Sequence, residues 1–279
     1  MAGDFAFERD GAHLAGVDFG GAGPAVLLLH GLAGYAREWS QTAGWLTERA
    51  RVVALDARGH GNSERRPADV SRSAHVADAA FAVERLGLAP VAVVGQSLGA
   101  LTALLLAADR PGLVSALVVA EGGPGGGDVQ AHEANVADLA RSLGRWPVPF
   151  ASREAAVAFF GGPSLTADAW ADGLEHRDDG WWPRFDVDVM VGTLRDAGRR
   201  SYWNEWERIA CPTLVVRAGN GSLSAADARA MAERGRDVQL VEVDDAKHDV
   251  HLDRPVQWRR AVSRFLDERQ PFTAACGRG

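Results

Sequence analysis

Short, unbroken runs of apolar residues recur along the chain: Ala25–Leu29, Val52–Leu55, Val91–Val94, Ala116–Ala120, Thr213–Val216 and Val238–Val243. A strand with one face in water alternates apolar and polar positions, so continuous runs suit strands covered on both faces, as in a parallel sheet. Between most of them the apolar spacing turns helical, over Trp39–Arg49, Ser73–Leu86, Leu98–Asp109, Ser224–Arg234 and Pro255–Arg269. Strand alternating with helix predicts an α/β fold with a doubly wound, mostly parallel sheet. Ahead of these runs, Phe5–Phe19 reads as two strands about an Asp10-Gly11 turn, the Asp-Gly pair supplying the backbone freedom a hairpin needs.

One interval breaks the rhythm. From Gly122 to Glu207 no parallel-strand signal appears, and Pro147, Pro149, Pro163 and Pro183 cut the segment into short helical pieces. Six of the nine tryptophans fall here, which predicts a helical cap (residues 122–207) inserted into a core formed by 1–121 and 208–279. Most of these rings are expected to pack the cap on its host, with one or two lining a cleft. Trp146, Phe159, Trp181, Trp182 and Trp203 are the candidates for substrate contact.

Composition narrows the classes of function. Hydrophobic residues make up 47% of 279 residues, enough for a sizeable core, and the net charge is −7. An acidic chain of pI near 5.6 argues against a nucleic-acid partner and against docking on an anionic membrane. Two cysteines far apart, Cys211 and Cys276, are too few for a disulfide scaffold and suit a reducing compartment. The first residues lack the basic-then-apolar pattern of a signal peptide, and no apolar run approaches the ~20 residues of a bilayer span, so a cytoplasmic location is expected. No spacing suggests zinc ligands, a dinucleotide fingerprint or a P-loop; no cofactor is implied.

The chemistry is signalled by Gly95-Gln-Ser-Leu-Gly99, set between a buried strand and an apolar helix. A sharp turn there lifts the Ser97 hydroxyl above the sheet edge, and the helix starting at Leu98 aims backbone N–H groups at the same spot. Gly95 and Gly99 are small because strand and helix cross closely around a strained serine.

With this motif stand Leu27-Leu-Leu-His-Gly-Leu32, Leu55-Asp-Ala-Arg-Gly-His-Gly-Asn-Ser63, Cys211-Pro-Thr-Leu-Val-Val216 and His248-Asp-Val-His-Leu-Asp-Arg-Pro255. Five pieces in this order resemble the α/β-hydrolase superfamily over nearly the whole chain. The resemblance implies an eight-stranded, mostly parallel sheet. It implies an oxyanion hole from the N–H groups of Leu32 and Leu98, which the tetrahedral intermediate of acyl transfer needs. His248, after the last strand, is implied as the base, with Lys247 where the family usually has glycine. His251 is expected to support the loop, His30 and Asp56 to shape theirs, and His60 and His75 to lie in a surface turn and at a helix start.

The acid departs from the commoner pattern. It usually follows the strand after the cap, in Gly-x-x-Asp; here Val216–Ser224 holds no carboxylate, Ser222 takes the place, and Asp227 falls in the next helix. Glu121, at the end of the strand following the nucleophile helix, matches the position used by a minority of the superfamily, including some lactonases. Its alternative is an inward polar residue at the cap hinge, leaving a Ser–His dyad.

The expected function is a serine hydrolase, cleaving a carboxylic ester or lactone of a small hydrophobic molecule through an acyl-enzyme on Ser97. The same triad would serve hydrolysis of a carbon–carbon bond in a β-diketone or ring-fission product. A hydrolase fold reused as a small-molecule receptor is the reading from another class. Dehalogenase and epoxide hydrolase chemistry is disfavoured, since both need a carboxylate where Ser97 stands.

Overall fold

The computed structural model describes residues 3–126 and 129–269; Cys276 lies outside them. Strands β1 (Gly3–Arg9) and β2 (Ala12–Gly20) form the expected hairpin, with Asp10 and Gly11 both at positive φ. Strands β3 (Ala25–Leu29), β4 (Arg51–Leu55), β5 (Val91–Gln96) and β6 (Val114–Ala120) follow. Their connections are a short 3-10 turn (Ala36–Trp39) running into α1 (Ser40–Leu46), then α2 (Arg72–Arg85) and α3 (Leu98–Asp109). The sheet order is β1-β2-β4-β3-β5-β6-β9-β10, parallel from β4 to β10, with β1 and β2 antiparallel at one edge. The last two strands, β9 (Thr213–Ala218) and β10 (Val238–Val243), come after the insertion.

The apolar runs are continuous because alternate residues serve different faces. Leu27, Leu29, Val93, Leu117 and Val119 pack under α2 and α3 on one side; Val26, Leu28, Val94, Val118 and Val216 pack on the other. All six residues of β5 are buried, and each large aliphatic side chain so covered gains roughly 1.5–3 kcal/mol over exposure.

The insertion contains α4 (Val129–Leu143), α5 (Arg153–Phe159), α6 (Leu165–Asp172), β7 (Leu174–Arg177), β8 (Gly180–Pro183), α7 (Val187–Ala197) and α8 (Trp203–Arg208). The hairpin β7–β8 was not anticipated: four-residue strands are too short to show alternation, although Gly180 at φ 137° marks its turn. The neck closes where Tyr202 N–H donates to the Pro124 carbonyl at 2.7 Å. Beyond it, Trp206 of α8 is buried and donates to the Met231 carbonyl at 3.0 Å, packing with α9 (Ala225–Arg234) rather than over the sheet edge. The chain ends, within the described residues, with α10 (Val250–Asp253) and α11 (Pro255–Arg269). No helix among the described residues is long and apolar enough to cross a membrane.

Two histidines differ from expectation. His60 is buried at 1% exposure, its Nδ1–H donating to the Arg58 carbonyl, because the Asp56–Ser63 loop folds inward. His75 does lie in the first turn of α2, but on its inner face, and is also buried. Burial pushes the His60 ring down to about 3, which keeps it neutral.

Candidate active site

The loops after β3, β5, β6, β9 and β10 all leave the carboxyl ends of parallel strands, the edge where open α/β sheets gather their ligands. Ser97 sits between β5 and α3 at φ 51° and ψ −115°. A non-glycine residue held there costs roughly 1–3 kcal/mol and persists only where its surroundings impose it. Glycines impose it here: a Cβ on Gly95 would stand 2.4 Å from the Gly99 carbonyl oxygen, and one on Gly99 would stand 2.2 Å from that of Leu29. Leu98, the first residue of α3, has an N–H with no intrahelical acceptor. Across from it, Gly34 N–H closes a turn on the Gly31 carbonyl, with Ala33 at φ 62°; a Cβ on Gly31 would stand 3.3 Å from the Ser97 Cβ, and Leu32, next along the chain, lines a neighbouring cleft with Gln96.

Glu121 directly follows β6 at φ 52°, a second strained position. Its carboxylate is buried and heavily solvated by protein: Oε1 accepts from Ala218 N–H at 2.7 Å, and Oε2 from Ser222 N–H at 2.5 Å and Leu223 N–H at 3.3 Å. Oε2 also lies 3.2 Å from His248 Nδ1. Burial alone would raise the carboxyl, but the bonds from His248 and these three amides outweigh it and hold it below the usual carboxylate range. Gly221 makes the approach possible, since a Cβ there would stand 2.0 Å from Glu121 Oε2. For His248 burial opposes the charge, yet the hydrogen bond to Glu121 prevails and the ring is raised above its ordinary value. Ser222 Oγ lies 2.8 Å from the same Nδ1. The two loops are fixed to each other by Asn220 N–H donating to the Ala246 carbonyl at 2.8 Å. Gln96, next to Ser97, donates through Nε2 to the His248 carbonyl at 3.0 Å and so ties the histidine loop to the elbow.

Beside the loops of Gln96 and Asp249 lies a cleft lined by Tyr35, Trp146, Trp170, Leu174, Arg184 and Phe185 among others. A mostly apolar concavity with a few polar groups is the usual form of a small-molecule site.

The α/β-hydrolase-fold family profile matches residues 24–255. The chain belongs to this family. Among relatives of this hydrolase, the mouse sn-1-specific diacylglycerol lipase ABHD11 is 30% identical over 260 residues, covering 87% of this chain and 81% of the relative. Esterase Rv0045c of Mycobacterium tuberculosis is 29% identical, with 92% and 87% covered. The crystal structure of E-2-(acetamidomethylene)succinate hydrolase superposes with a TM-score of 0.85 at 26% identity, covering 96% of this chain and all of that one.

Within the hydrolase, Trp146 alone of the five cap aromatics singled out in the sequence lines the cleft. Phe159 is 44% exposed against Trp146 and Phe150. Trp181 packs on His176, Trp182 bonds Asp179 under the Arg177 guanidinium, and Trp203 lies beneath Arg234. The hairpin β7–β8 turns Leu174 and Pro183, not its tryptophans, into the cleft lining, and Trp203 of α8 packs on the main core. Three residues went unnoticed in the sequence: Gln96, Trp170 and Asp249. Asp249 Oδ2 accepts from Trp170 Nε1–H at 3.0 Å, joining α6 to the histidine loop. The only sequence signal for Gln96 and Asp249 was adjacency to Ser97 and His248, and for Trp170 its place among the six tryptophans of the insertion. His251 stacks on Trp39 at 4.2 Å, and His30 donates Nδ1–H to the Gly31 carbonyl while Nε2 accepts from Ala57 N–H, so both ring nitrogens serve the loop. Asp56 accepts from Ala36 and Asn62 N–H and shapes its loop. Cys211 is a free thiol that burial pushes up to about 11, well away from thiolate chemistry. Among the described residues no group of three His, Cys, Asp or Glu side chains could hold a metal.

Proposed function

We propose that this hydrolase cleaves a carboxylic ester or lactone of a small hydrophobic molecule through an acyl-enzyme on Ser97, with residues 122–207 as its lid. Ser97 Oγ attacks the carbonyl carbon and His248 Nε2 takes its proton. Glu121, through Nδ1–H, holds the tautomer that leaves Nε2 free and stabilises the imidazolium that forms. The N–H groups of Leu32 and Leu98 bind the oxygen that becomes negative. His248 returns its proton to the leaving alkoxide, then activates a water that releases the acid and frees Ser97. The observation supporting this reading most is the pair of strained residues: Ser97 at φ 51° on the elbow, and Glu121 at φ 52° bonded to the His248 ring. The apolar cleft suits a hydrophobic acyl or alkoxy group. Hydrolysis of short p-nitrophenyl esters and aliphatic lactones tests it. The purified chain is expected to turn over at least one of them, and Ser97→Ala to lose about 10³-fold or more in kcat. Equal rates in wild type and variant would end the serine mechanism.

A further inference from the structure

We propose that Ser222 is a positioning residue of this site, its hydroxyl carrying the charge of Glu121 to His248; the inference rests on the serine-hydrolase reading above. Ser222 Oγ is 2.8 Å from His248 Nδ1 and 3.4 Å from Glu121 Oε2, while Glu121 Oε2 itself is 3.2 Å from Nδ1. N–H···O bonds are best near 2.9 Å, so the hydroxyl is the better-placed acceptor for the ring proton. Oε2 is also crowded, already accepting the Ser222 and Leu223 amides. The arrangement is a relay: Nδ1–H donates to Ser222 Oγ, and the Ser222 O–H donates to Glu121 Oε2. When Nε2 takes the Ser97 proton, the positive ring keeps Nδ1–H and no proton passes along the relay; the hydroxyl only polarises between cation and carboxylate. Main-chain bonds hold Ser222 in place, because its own amide is fixed on Glu121 and Asn220 N–H is fixed on Ala246.

The same geometry makes the acid position transferable. An aspartate at 222 carries its oxygens about one bond beyond the Oγ position, which already stands 2.8 Å from Nδ1, so its Cγ must swing off that position for an oxygen to meet Nδ1. Ser222 is an exposed residue, which leaves room for that swing.

The test compares wild type with Ser222→Ala, Ser222→Thr, Glu121→Gln and the double variant E121Q/S222D. One readout is the pH profile of kcat/KM on the best p-nitrophenyl ester. The other is the ¹⁵N NMR titration of His248 without substrate. Ser222→Ala is expected to lose about tenfold in plateau kcat/KM and to shift the His248 midpoint downward. Ser222→Thr, which keeps the hydroxyl, should stay within about threefold of wild type. The double variant should recover at least tenfold over Glu121→Gln. An unchanged His248 midpoint in Ser222→Ala overturns the relay, and a folded double variant no faster than Glu121→Gln overturns the transfer. The NMR titration needs no turnover, so it still decides the relay if Ser97 proves not to cleave esters.

Discussion

A carboxylate that accepts three backbone N–H bonds is a weak base and a strong anchor, and Glu121 is placed as both. Its charge holds a proton on His248 to a higher pH than a free imidazole keeps one, despite the cost of burial. Since the base must be neutral to accept the Ser97 proton, ester kcat/KM should rise with pH with a midpoint above 6.5, the ordinary value of the ring. In Glu121→Gln that midpoint should fall and the plateau drop by about 10²–10⁴-fold, because both the tautomer and the imidazolium lose their support. A midpoint that stays in place in the folded variant would detach Glu121 from the base. The stability effect has the matching sign. A histidine raised on folding contributes stability fully below its unfolded pKa and loses it as pH rises through the folded one. Thermal melts of wild type should therefore lose that increment between 6.5 and the raised midpoint, and Glu121→Gln should not.

Elements were legible where backbone demands fixed residue type. Two-faced burial writes itself as unbroken Val, Leu and Ala runs, and the crossing of β5 and α3 admits only Gly95 and Gly99. The cleft wall was not legible, because ring direction depends on a β7–β8 hairpin too short to show its period. Nor was the inner face of α2, whose sequence Arg72-Ser-Ala-His75 reads as polar and exposed. There Arg72 is buried, with Nη1 on Thr102 Oγ1, while Nε and Nη2 have no protein partner among the described residues. Arg72 lines a small cavity with His60, His75 and Asp78, and Asp78 is already engaged by Arg58 at 2.6 and 2.8 Å. Burial lowers the guanidinium to about 10 even with Asp196 nearby, the mark of a charge poorly compensated. Replacing such a group by an apolar one of similar length is often neutral or stabilising. Arg72→Met should thus melt at the wild-type temperature or up to ~6 °C above it, at about 2–4 °C per kcal/mol for a chain of this size. The Thr102 hydroxyl keeps the Leu98 carbonyl as its acceptor. A melting point lower by 5 °C or more would mean that Arg72 is satisfied in the folded protein.

Across the whole molecule, several polar groups tie the insertion to the rest of the chain, and Arg65 bonds four of its residues. Its Nε donates to Asp186 at 2.8 Å, Nη1 to Glu175 at 3.3 Å, and Nη2 to the Pro183 and Phe185 carbonyls at 3.1 and 3.0 Å. Arg66 adds Asp186 and Asp188, and Trp170 adds Asp249 on the opposite side of the cleft. These clamps hold Pro183, Arg184, Phe185 and Trp170 as cleft walls, yet none touches Ser97 or His248. Exposed pairs such as that of Arg66 are worth only about 0–1 kcal/mol, whereas Arg65 is half-buried and its guanidinium satisfies two main-chain carbonyls. Removing it should therefore loosen the wall without disturbing the chemistry. Arg65→Met is expected to raise KM for a bulky ester by about 5–20-fold, with kcat within about threefold, since binding common to ground and transition state is what the wall supplies. Ester KM in wild type should also climb between 50 and 500 mM salt as the Arg66 pairs are screened. An unchanged KM in a folded Arg65→Met, across esters of increasing size, would mean that the cleft walls stand without the clamp.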